Sequence, residues 1–285
     1  TYIKCVAYSN GGHGDIDPCK ALMKSCNDVM MHMAADLGAT RFAKYVRSFG
    51  FGSKTGIDLP GEAEGGIFSK EKLHQVELAT SSFGQGQTVT MIQLASAFSA
   101  VINGGNYYQP HVVKEINSES GAVVSSNDNT LVKRVVSEDA SKLIRKYLEK
   151  TVEDDEGTAG PARVKGYVIG GKTGTAEKWP RNEGKYLVSF AGFTPTDKPE
   201  LMIYVVIDEP HVSDQAHSTY ATEFASEVLK DVLPMLGIYK QTGKSDSAKK
   251  ITLPSTKKGN QLLEVPKGGF SSSTYKVAKS KKNNG

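Results

Sequence analysis

The chain has 285 residues, of which 38% are hydrophobic and 23% are charged, and its net charge is +4. This is the balance of a globular protein with room for one large domain or two small ones. No run approaches the roughly 20 apolar residues of a membrane-spanning helix, and no signal peptide is visible. We therefore expect either a soluble intracellular protein or a fragment whose targeting segment lies upstream.

The charge is unevenly distributed along the chain. Residues 241–285 contain ten lysines and two acidic residues, which gives this end +8 and leaves −4 for the rest. Its Lys, Ser, Thr, Gly and Asn content is typical of a solvated linker. The sequence predicts a folded domain over residues 1–238 and a basic, disordered tail over residues 239–285, although such a tail also suits contact with an anionic polymer or a membrane surface.

The three cysteines are Cys5, Cys19 and Cys26, and this odd number gives no closed set of disulfides. There is no Cys-x-x-Cys pair, and the six histidines show no His-Glu-x-x-His spacing. We therefore expect no metal site and no cofactor. The expected role of Cys26 is that of a small buried filler, and that of His13 is a structural hydrogen bond.

The predicted elements fall into two blocks along the chain. Apolar residues at helical spacing, with caps such as Asp17-Pro18 and Thr90, predict helices over residues 17–25, 28–37, 41–49, 90–102, 137–150 and 219–236. Short apolar runs between turns predict strands over residues 111–116, 131–136, 166–171, 186–193 and 201–207. We expect the first two strands to form a hairpin and the last three a meander. This order predicts an α+β fold with helices packed against an antiparallel sheet.

One glycine-rich segment, residues 166–173, fits the Walker A pattern of nucleotide-binding loops. Such a loop needs a helix that starts at its lysine, but Gly174 and then Trp179-Pro180 follow, which cannot sustain a helix. We predict instead a strand whose end carries Lys172-Thr173-Gly174-Thr175. Lys172 supplies a positive charge, the threonine hydroxyls can bind a carboxylate, and Gly174 leaves room for a substrate along the strand edge.

A second motif, Ser25-Cys26-Asn27, lies between two predicted helices about 145 residues before the first. Each motif alone is a weak signal, since Lys-Thr-Gly also occurs at residues 54–56, where a loop and a structural role are expected. Together they match the Ser-x-Asn and Lys-Thr-Gly elements of serine β-lactamases and penicillin-binding proteins.

With the segments between these motifs, the chain resembles the class B penicillin-binding proteins, the D,D-transpeptidases of division, elongation and sporulation. The further segments are His13-Gly14, Phe49-Gly50-Phe51-Gly52, Thr55-Gly56-Ile57-Asp58-Leu59-Pro60-Gly61-Glu62, Gly84-Gln85-Gly86-Gln87, Thr90, Gln93-Leu94, Asn103-Gly104-Gly105 and Phe190-Ala191-Gly192-Phe193-Thr194-Pro195. The resemblance covers residues 5–236. It implies the β-lactamase/transpeptidase-like fold, with an antiparallel sheet flanked by helices, here incomplete at its N-terminal side.

The resemblance also implies a reaction, in which a serine attacks the carbonyl of a D-Ala-D-Ala stem peptide and the acyl group then passes to an amine. In that reaction Ser25 would relay a proton to the leaving amine, and Asn27 would bind the substrate amide and the activating lysine. Lys172 would orient Ser25. Thr173 and Thr175 would bind the terminal carboxylate, and the N–H of Thr175 would donate to the oxyanion.

The expected nucleophile is the serine of a Ser-x-x-Lys motif some tens of residues before Ser25, but only 24 residues precede Ser25 and none begins this motif. The pattern occurs later, at Ser69, Ser247, Ser255 and Ser273. Ser273-Thr274-Tyr275-Lys276 is the most similar to the family motif, but it lies in the basic tail. We expect a truncated chain that is inactive alone. A circularly permuted nucleophile and a degenerate, non-catalytic homologue are the alternatives.

The resemblance implies peptidoglycan stem peptides and β-lactams as partners, and no nucleic acid. It implies a full-length protein that is anchored in the membrane, faces the extracytoplasmic side and associates with a cell-wall synthesis complex. Two rival functions are a serine β-lactamase, for which no base that activates the deacylating water can be placed, and a non-catalytic cell-wall binding or scaffold protein.

Overall fold

The computed structural model describes residues 3–240 together with residues 275 and 276. The helices in this part of the chain are α1 (Pro18–Met23), α2 (Asn27–Leu37), α3 (Ala39–Ser48), α4 (Gln75–Ser81), α5 (Met91–Ile102), α6 (Glu138–Glu153) and α7 (Thr219–Met235). The strands are β1 (Asp15–Ile16), β2 (Asn106–Tyr108), β3 (Glu115–Asn117), β4 (Val123–Ser126), β5 (Leu131–Arg134), β6 (Gly170–Glu177), β7 (Tyr186–Thr194), β8 (Leu201–Asp208) and β9 (Tyr275–Lys276).

The central sheet is antiparallel and has the order β6-β7-β8, so that β6 lies at an edge. One face packs on α7 through Phe190, Val205 and Leu229, which share the largest apolar cluster. On the other face Phe193 contacts Leu148 of α6 and the ring of Phe98 in α5, at 6.1 Å between ring centroids. The predicted α+β fold with an antiparallel sheet flanked by helices is confirmed.

Helix starts follow the capping residues that the sequence indicates. The Asp17 carboxylate accepts the N–H of Lys20 at the start of α1, and the Ser137 hydroxyl accepts the N–H of Ala140 at the start of α6. Thr90 forms a reciprocal capping box with Gln93 at the start of α5. Each cap satisfies a backbone donor that the first helical turn leaves free, which stabilises a helix by about 1 kcal/mol.

The predicted hairpin between residues 111–116 and 131–136 is wrong. The structure pairs β2 with β5 and β3 with β4, in both cases antiparallel. The β3–β4 turn is closed by a hydrogen bond from the N–H of Gly121 to the carbonyl of Ser118, and Gly121 has φ 82. That turn separates the two predicted strands, so each of them finds another partner.

Two further differences concern one strand and one helix. The first strand of the meander begins at Gly170 and runs to Glu177, so the Lys-Thr-Gly-Thr motif lies within the strand and not at its end. Helix α4 was not predicted, and its seven residues are too few for a clear periodic signal. Of the predicted tail, only residues 239–240 and β9, which pairs with β1, are among the described residues.

Candidate active site

Ser25-Cys26-Asn27 forms the joint between α1 and α2. Ser25 has φ 52, in the left-handed region that residues other than glycine rarely adopt. The N–H of Ser25 bonds to the carbonyl of Leu22 at 3.2 Å and that of Cys26 to the carbonyl of Ala21 at 2.9 Å, while Asn27 begins α2. The Cys26 side chain is 0% exposed, whereas Ser25 is exposed. The cysteine therefore holds the joint in the core, while Ser25 lies on its exposed side.

The fold brings this joint to the edge strand of the central sheet. Lys172 Nζ donates to Ser25 Oγ at 3.0 Å, across 147 positions of sequence, and also to the carbonyl of Thr173 at 2.9 Å. Lys172 lies opposite Ala191 of β7, on the sheet face where Phe193 packs on α5 and α6. The two sequence motifs therefore share one site.

The environment of Lys172 lowers the pKa of its ammonium to about 8, because burial removes water from the charge. At pH 7 a group with this pKa is about nine-tenths protonated, so the site holds a poorly hydrated positive charge. Such a charge is suited to bind an anion, because the attraction is weakly screened where water is scarce. With this pKa the Lys172 side chain can itself gain or lose a proton near neutral pH.

The outer edge of β6 offers backbone groups to a ligand. The hydroxyl of Thr151 in α6 donates to the carbonyl of Gly171, on the side of β6 that faces away from β7. Because both backbone groups of a residue in an antiparallel strand point the same way and alternate along it, those of Thr173 and Thr175 also face away from β7. An extended peptide could therefore pair with this edge.

Glycines keep the motif strand close to its neighbours. A Cβ on Gly171 would lie 2.4 Å from the Phe190 ring, and one on Gly174 would lie 2.6 Å from Ser189 Oγ. Gly174 therefore removes a steric clash within the sheet face, which adds to the predicted role of leaving the strand edge open. The Walker A interpretation stays excluded, because Lys172 and Thr173 lie in a strand and not at a helix N-terminus.

Several family-like segments bind backbone groups of the protein itself. The Glu62 carboxylate accepts from the N–H and the hydroxyl of Thr55, both at 2.6 Å, and from the N–H of Gly56 at 3.1 Å. Gln93, 0% exposed, donates to the carbonyls of Ser53 and Glu64. The Lys-Thr-Gly copy at residues 54–56 therefore closes a loop.

Sequence reasoning missed two threonines beside the motif strand. Thr151 is buried and bonds to Gly171, and the hydroxyl of Thr158 lies 3.4 Å from that of Thr173. Neither belongs to a recognisable motif. Of the serines with a lysine three residues later, Ser69 precedes a short 3₁₀ turn, Lys70–Lys72. Ser247, Ser255 and Ser273, with the predicted alternative of a permuted nucleophile, lie outside the described residues.

Residues 3–230 match the family model of the penicillin binding protein transpeptidase domain. The chain belongs to this family. It is 41% identical to Stage V sporulation protein D of Bacillus subtilis over 265 residues, which cover 91% of the chain and 40% of that protein. It is 32% identical to the peptidoglycan D,D-transpeptidase MrdA of Acinetobacter baumannii over 217 residues, or 68% of the chain and 32% of that protein.

The transpeptidase domain is also similar to a solved structure, penicillin binding protein 3 of Mycobacterium tuberculosis in complex with ampicillin. The TM-score is 0.73 at 26% identity, over 80% of this chain and 52% of that one. The chain therefore spans less than half the length of the curated relatives named above. Among the described residues of the transpeptidase domain, no helix combines the length and apolar character needed to cross a membrane.

Proposed function

We propose that this transpeptidase domain supplies the substrate-binding side of the active site of a peptidoglycan D,D-transpeptidase. The observation that carries the proposal is the 3.0 Å contact between Lys172 Nζ and Ser25 Oγ, which joins the two motifs at an open strand edge. The substrate is a D-Ala-D-Ala stem peptide, and β-lactams bind at the same place.

The proposal gives each polar group of the two motifs a role in binding the substrate or in moving a proton. Lys172 holds Ser25 in position, and Ser25 passes a proton to the leaving amine. Asn27, half-buried at the first position of α2, binds the substrate amide. The hydroxyls of Thr173 and Thr175 bind the terminal carboxylate beside the Lys172 charge. The outward N–H of Thr175 donates to the oxyanion, a contact worth about 3 kcal/mol in related chemistry.

The acylated serine belongs to a Ser-x-x-Lys motif that the described residues do not place at this site. Ser69 begins the one such motif among them, and the 3₁₀ turn that follows it is not the start of a buried α-helix. We therefore expect that the 285-residue chain alone forms no covalent adduct with a fluorescent penicillin. Labelling that is lost in Ser273→Ala would contradict this and would assign the nucleophile to the tail.

The test of the function uses the complete gene product. We expect it to be acylated by a fluorescent penicillin, and we expect Lys172→Ala and Ser25→Ala each to slow acylation by about 100-fold or more. Lys178→Ala is the matched control, because Lys178 follows β6 directly but forms ion pairs with Asp208 and Glu209 on the surface. If the unaltered protein is not acylated, a non-catalytic homologue is the correct assignment.

We further propose that the complete protein acts on the extracytoplasmic face of the membrane, anchored there within a cell-wall synthesis complex. The similarity to Stage V sporulation protein D supports a role in sporulation rather than in division or elongation. Loss of heat-resistant spores at unchanged vegetative growth, after deletion of the gene, is the expected outcome. A growth or division defect in vegetative cells would favour the other two processes.

A further inference from the structure

Beneath the Ser25 joint, three side chains with metal-binding atoms meet in the core. Cys5 Sγ lies 3.8 Å from Cys26 Sγ and 3.7 Å from His13 Nδ1. All three atoms lie within 4.8 Å of one another. The spacings of 8 and 21 residues match no common metal-binding motif, which is why the pattern of cysteines and histidines indicated no such site.

These distances match the edges of a tetrahedral metal site. With zinc–sulfur bonds of about 2.3 Å and zinc–nitrogen bonds of about 2.0–2.1 Å, tetrahedral angles place two sulfurs about 3.8 Å apart and a sulfur and a nitrogen about 3.6 Å apart. A thiol–thiol contact is itself only a weak hydrogen bond. The two contacts of Cys5 therefore already have the separations that a common metal ion requires, and the third pair of atoms lies within 4.8 Å.

The surroundings of the three groups suit a thiophilic ion. Cys5 is 6% exposed and Cys26 is 0% exposed, and both belong to an apolar cluster with Ile16 and Val29. His13 is half-buried and borders this cluster on the solvent side. Within the described residues, no fourth histidine, cysteine or carboxylate joins the group. Two sulfurs, one imidazole nitrogen and one open position resemble the ligand set of zinc sites that keep an exchangeable water.

We propose that Cys5, His13 and Cys26 bind a thiophilic divalent metal ion of the Zn²⁺ class, with a water molecule in the fourth position. Binding replaces the two thiol protons by two metal–sulfur bonds and releases both protons to solvent, with no change of oxidation state. The imidazole binds through the lone pair of Nδ1. This proposal goes beyond the proposed function and does not depend on it.

The position of the site connects it to the joint between α1 and α2. Cys26 is the middle residue of Ser25-Cys26-Asn27, so a metal bound there would tie residues 5 and 13 to the backbone of that motif. Ser25 has a rarely adopted backbone conformation that only its surroundings can hold. A bound ion would fix that conformation from the core side.

The test titrates Co²⁺ into the reduced, chelator-treated 285-residue chain and follows the d–d and thiolate-to-cobalt absorption bands. We expect one Co²⁺ per chain with the spectrum of a tetrahedral sulfur site, and displacement of Co²⁺ by Zn²⁺. Cys5→Ser, His13→Gln and Cys26→Ser should each lose the spectrum. Cys19→Ser is the matched control, because Cys19 is 2% exposed but stands outside the group, and it should keep the spectrum.

A second measurement uses the unaltered chain, so that its result does not depend on whether the variants fold. Under partly denaturing conditions, Zn²⁺ should slow alkylation of Cys5 and Cys26 more than that of Cys19, which is protected only through the added stability of the fold, as mapped by mass spectrometry. Equal rates with and without Zn²⁺ would overturn the proposal, as would the absence of a sulfur–cobalt spectrum. Formation of a Cys5–Cys26 disulfide under an added oxidant, at the same rate with and without Zn²⁺, would also overturn it and assign the pair to redox chemistry.

Discussion

Replacing Lys172 by methionine is expected to stabilise the fold at pH 7 while slowing penicillin acylation of the complete gene product. Methionine has a similar length and no charge, so it removes the cost of holding a poorly hydrated ammonium. It also removes the hydrogen bonds from Lys172 Nζ to Ser25 Oγ and to the Thr173 carbonyl. A residue retained for activity at the expense of stability is common at active sites.

The size of the expected change in the free energy of unfolding follows from the lowered pKa of Lys172. Burial lowers the pKa of Lys172 from 10.5 to about 8. That difference corresponds to about 3 kcal/mol against folding while the group is charged. Lys172 Nζ also donates to Thr173 Oγ1 at 3.4 Å, so three hydrogen bonds are lost, and together they offset about 2 kcal/mol. We therefore expect Lys172→Met to raise the free energy of unfolding at pH 7 by about 1 kcal/mol, the remainder of these opposing contributions.

The pH dependence provides a second signature with a definite sign. Between about pH 8 and pH 10.5 the folded protein has released the Lys172 proton while the unfolded chain still holds it. The unfolded state then binds more protons, so the stability of the unaltered protein rises with pH, by about 1 kcal/mol from pH 7 to pH 9. This rise should be absent in Lys172→Met.

Urea denaturation of the reduced 285-residue chain at pH 7, 8 and 9 measures both effects. Burial raises the pKa of Cys19 and Cys26 to about 11, and this lowers stability at higher pH in both proteins, so the difference between them isolates Lys172. Lys146→Met, on an exposed position of α6, is the control and should leave the pH dependence unchanged. A variant that is less stable at pH 7, or that keeps the rise toward pH 9, would refute the reasoning.

Three further predictions concern the support of the site. Gly171→Ala places a Cβ 2.4 Å from the Phe190 ring and should lower the free energy of unfolding by about 1–3 kcal/mol in urea; unchanged stability would contradict the tight packing. Gln93→Leu leaves two carbonyls without their donor and should cost about 1–3 kcal/mol for each, whereas a neutral result would mean that water replaces the side chain. Hydrogen bonds from the N–H groups of Val112 and Val113 hold the pKa of the Asp58 carboxyl below its usual range. Above its unfolded-state pKa this carboxylate therefore stabilises the fold. The stabilisation is lost as the pH falls through the folded-state pKa. Asp58→Asn should therefore lose less stability than the unaltered protein between pH 5 and pH 3, and an equal loss would contradict that role.

Local signals were sufficient for most helices and insufficient for strand pairing. The caps at Asp17, Thr90 and Ser137 depend on neighbouring residues alone, and each predicted helix lies within a few residues of its observed limits. The partner of β2 is β5, more than twenty residues further along the chain. The hairpin of β3 and β4 lies between them, and the choice of partner depends on packing that no local window contains.

In the candidate site, too, some features are predictable from local sequence and others depend on packing. Motif matching indicated Ser25, Asn27 and the Lys-Thr-Gly-Thr strand as candidates, because their residue types recur at a known order and spacing. The 3.0 Å contact and the lowered pKa of Lys172 arise only when α1, α2 and the sheet pack together. The threonine pair beside the strand and the Cys5 group carry no recognisable pattern in sequence, because the spacings of their members match no known motif.

The alternation of exposure within Ser25-Cys26-Asn27 links the two proposals physically. Ser25 is exposed and Asn27 is half-buried, and in the proposed function both face the substrate, while the side chain of Cys26 lies in the core. A change at Cys26 therefore alters the core side of the motif and leaves in place the two side chains that the proposed function assigns to the substrate. In this chain the middle residue is a cysteine beside another cysteine and a histidine. Because metal binding acts on the backbone of Ser25 and not on its hydroxyl, we expect removal of the ion to change the rate of acylation less than Ser25→Ala does, and an equal loss would mean that the ion itself takes part in the reaction.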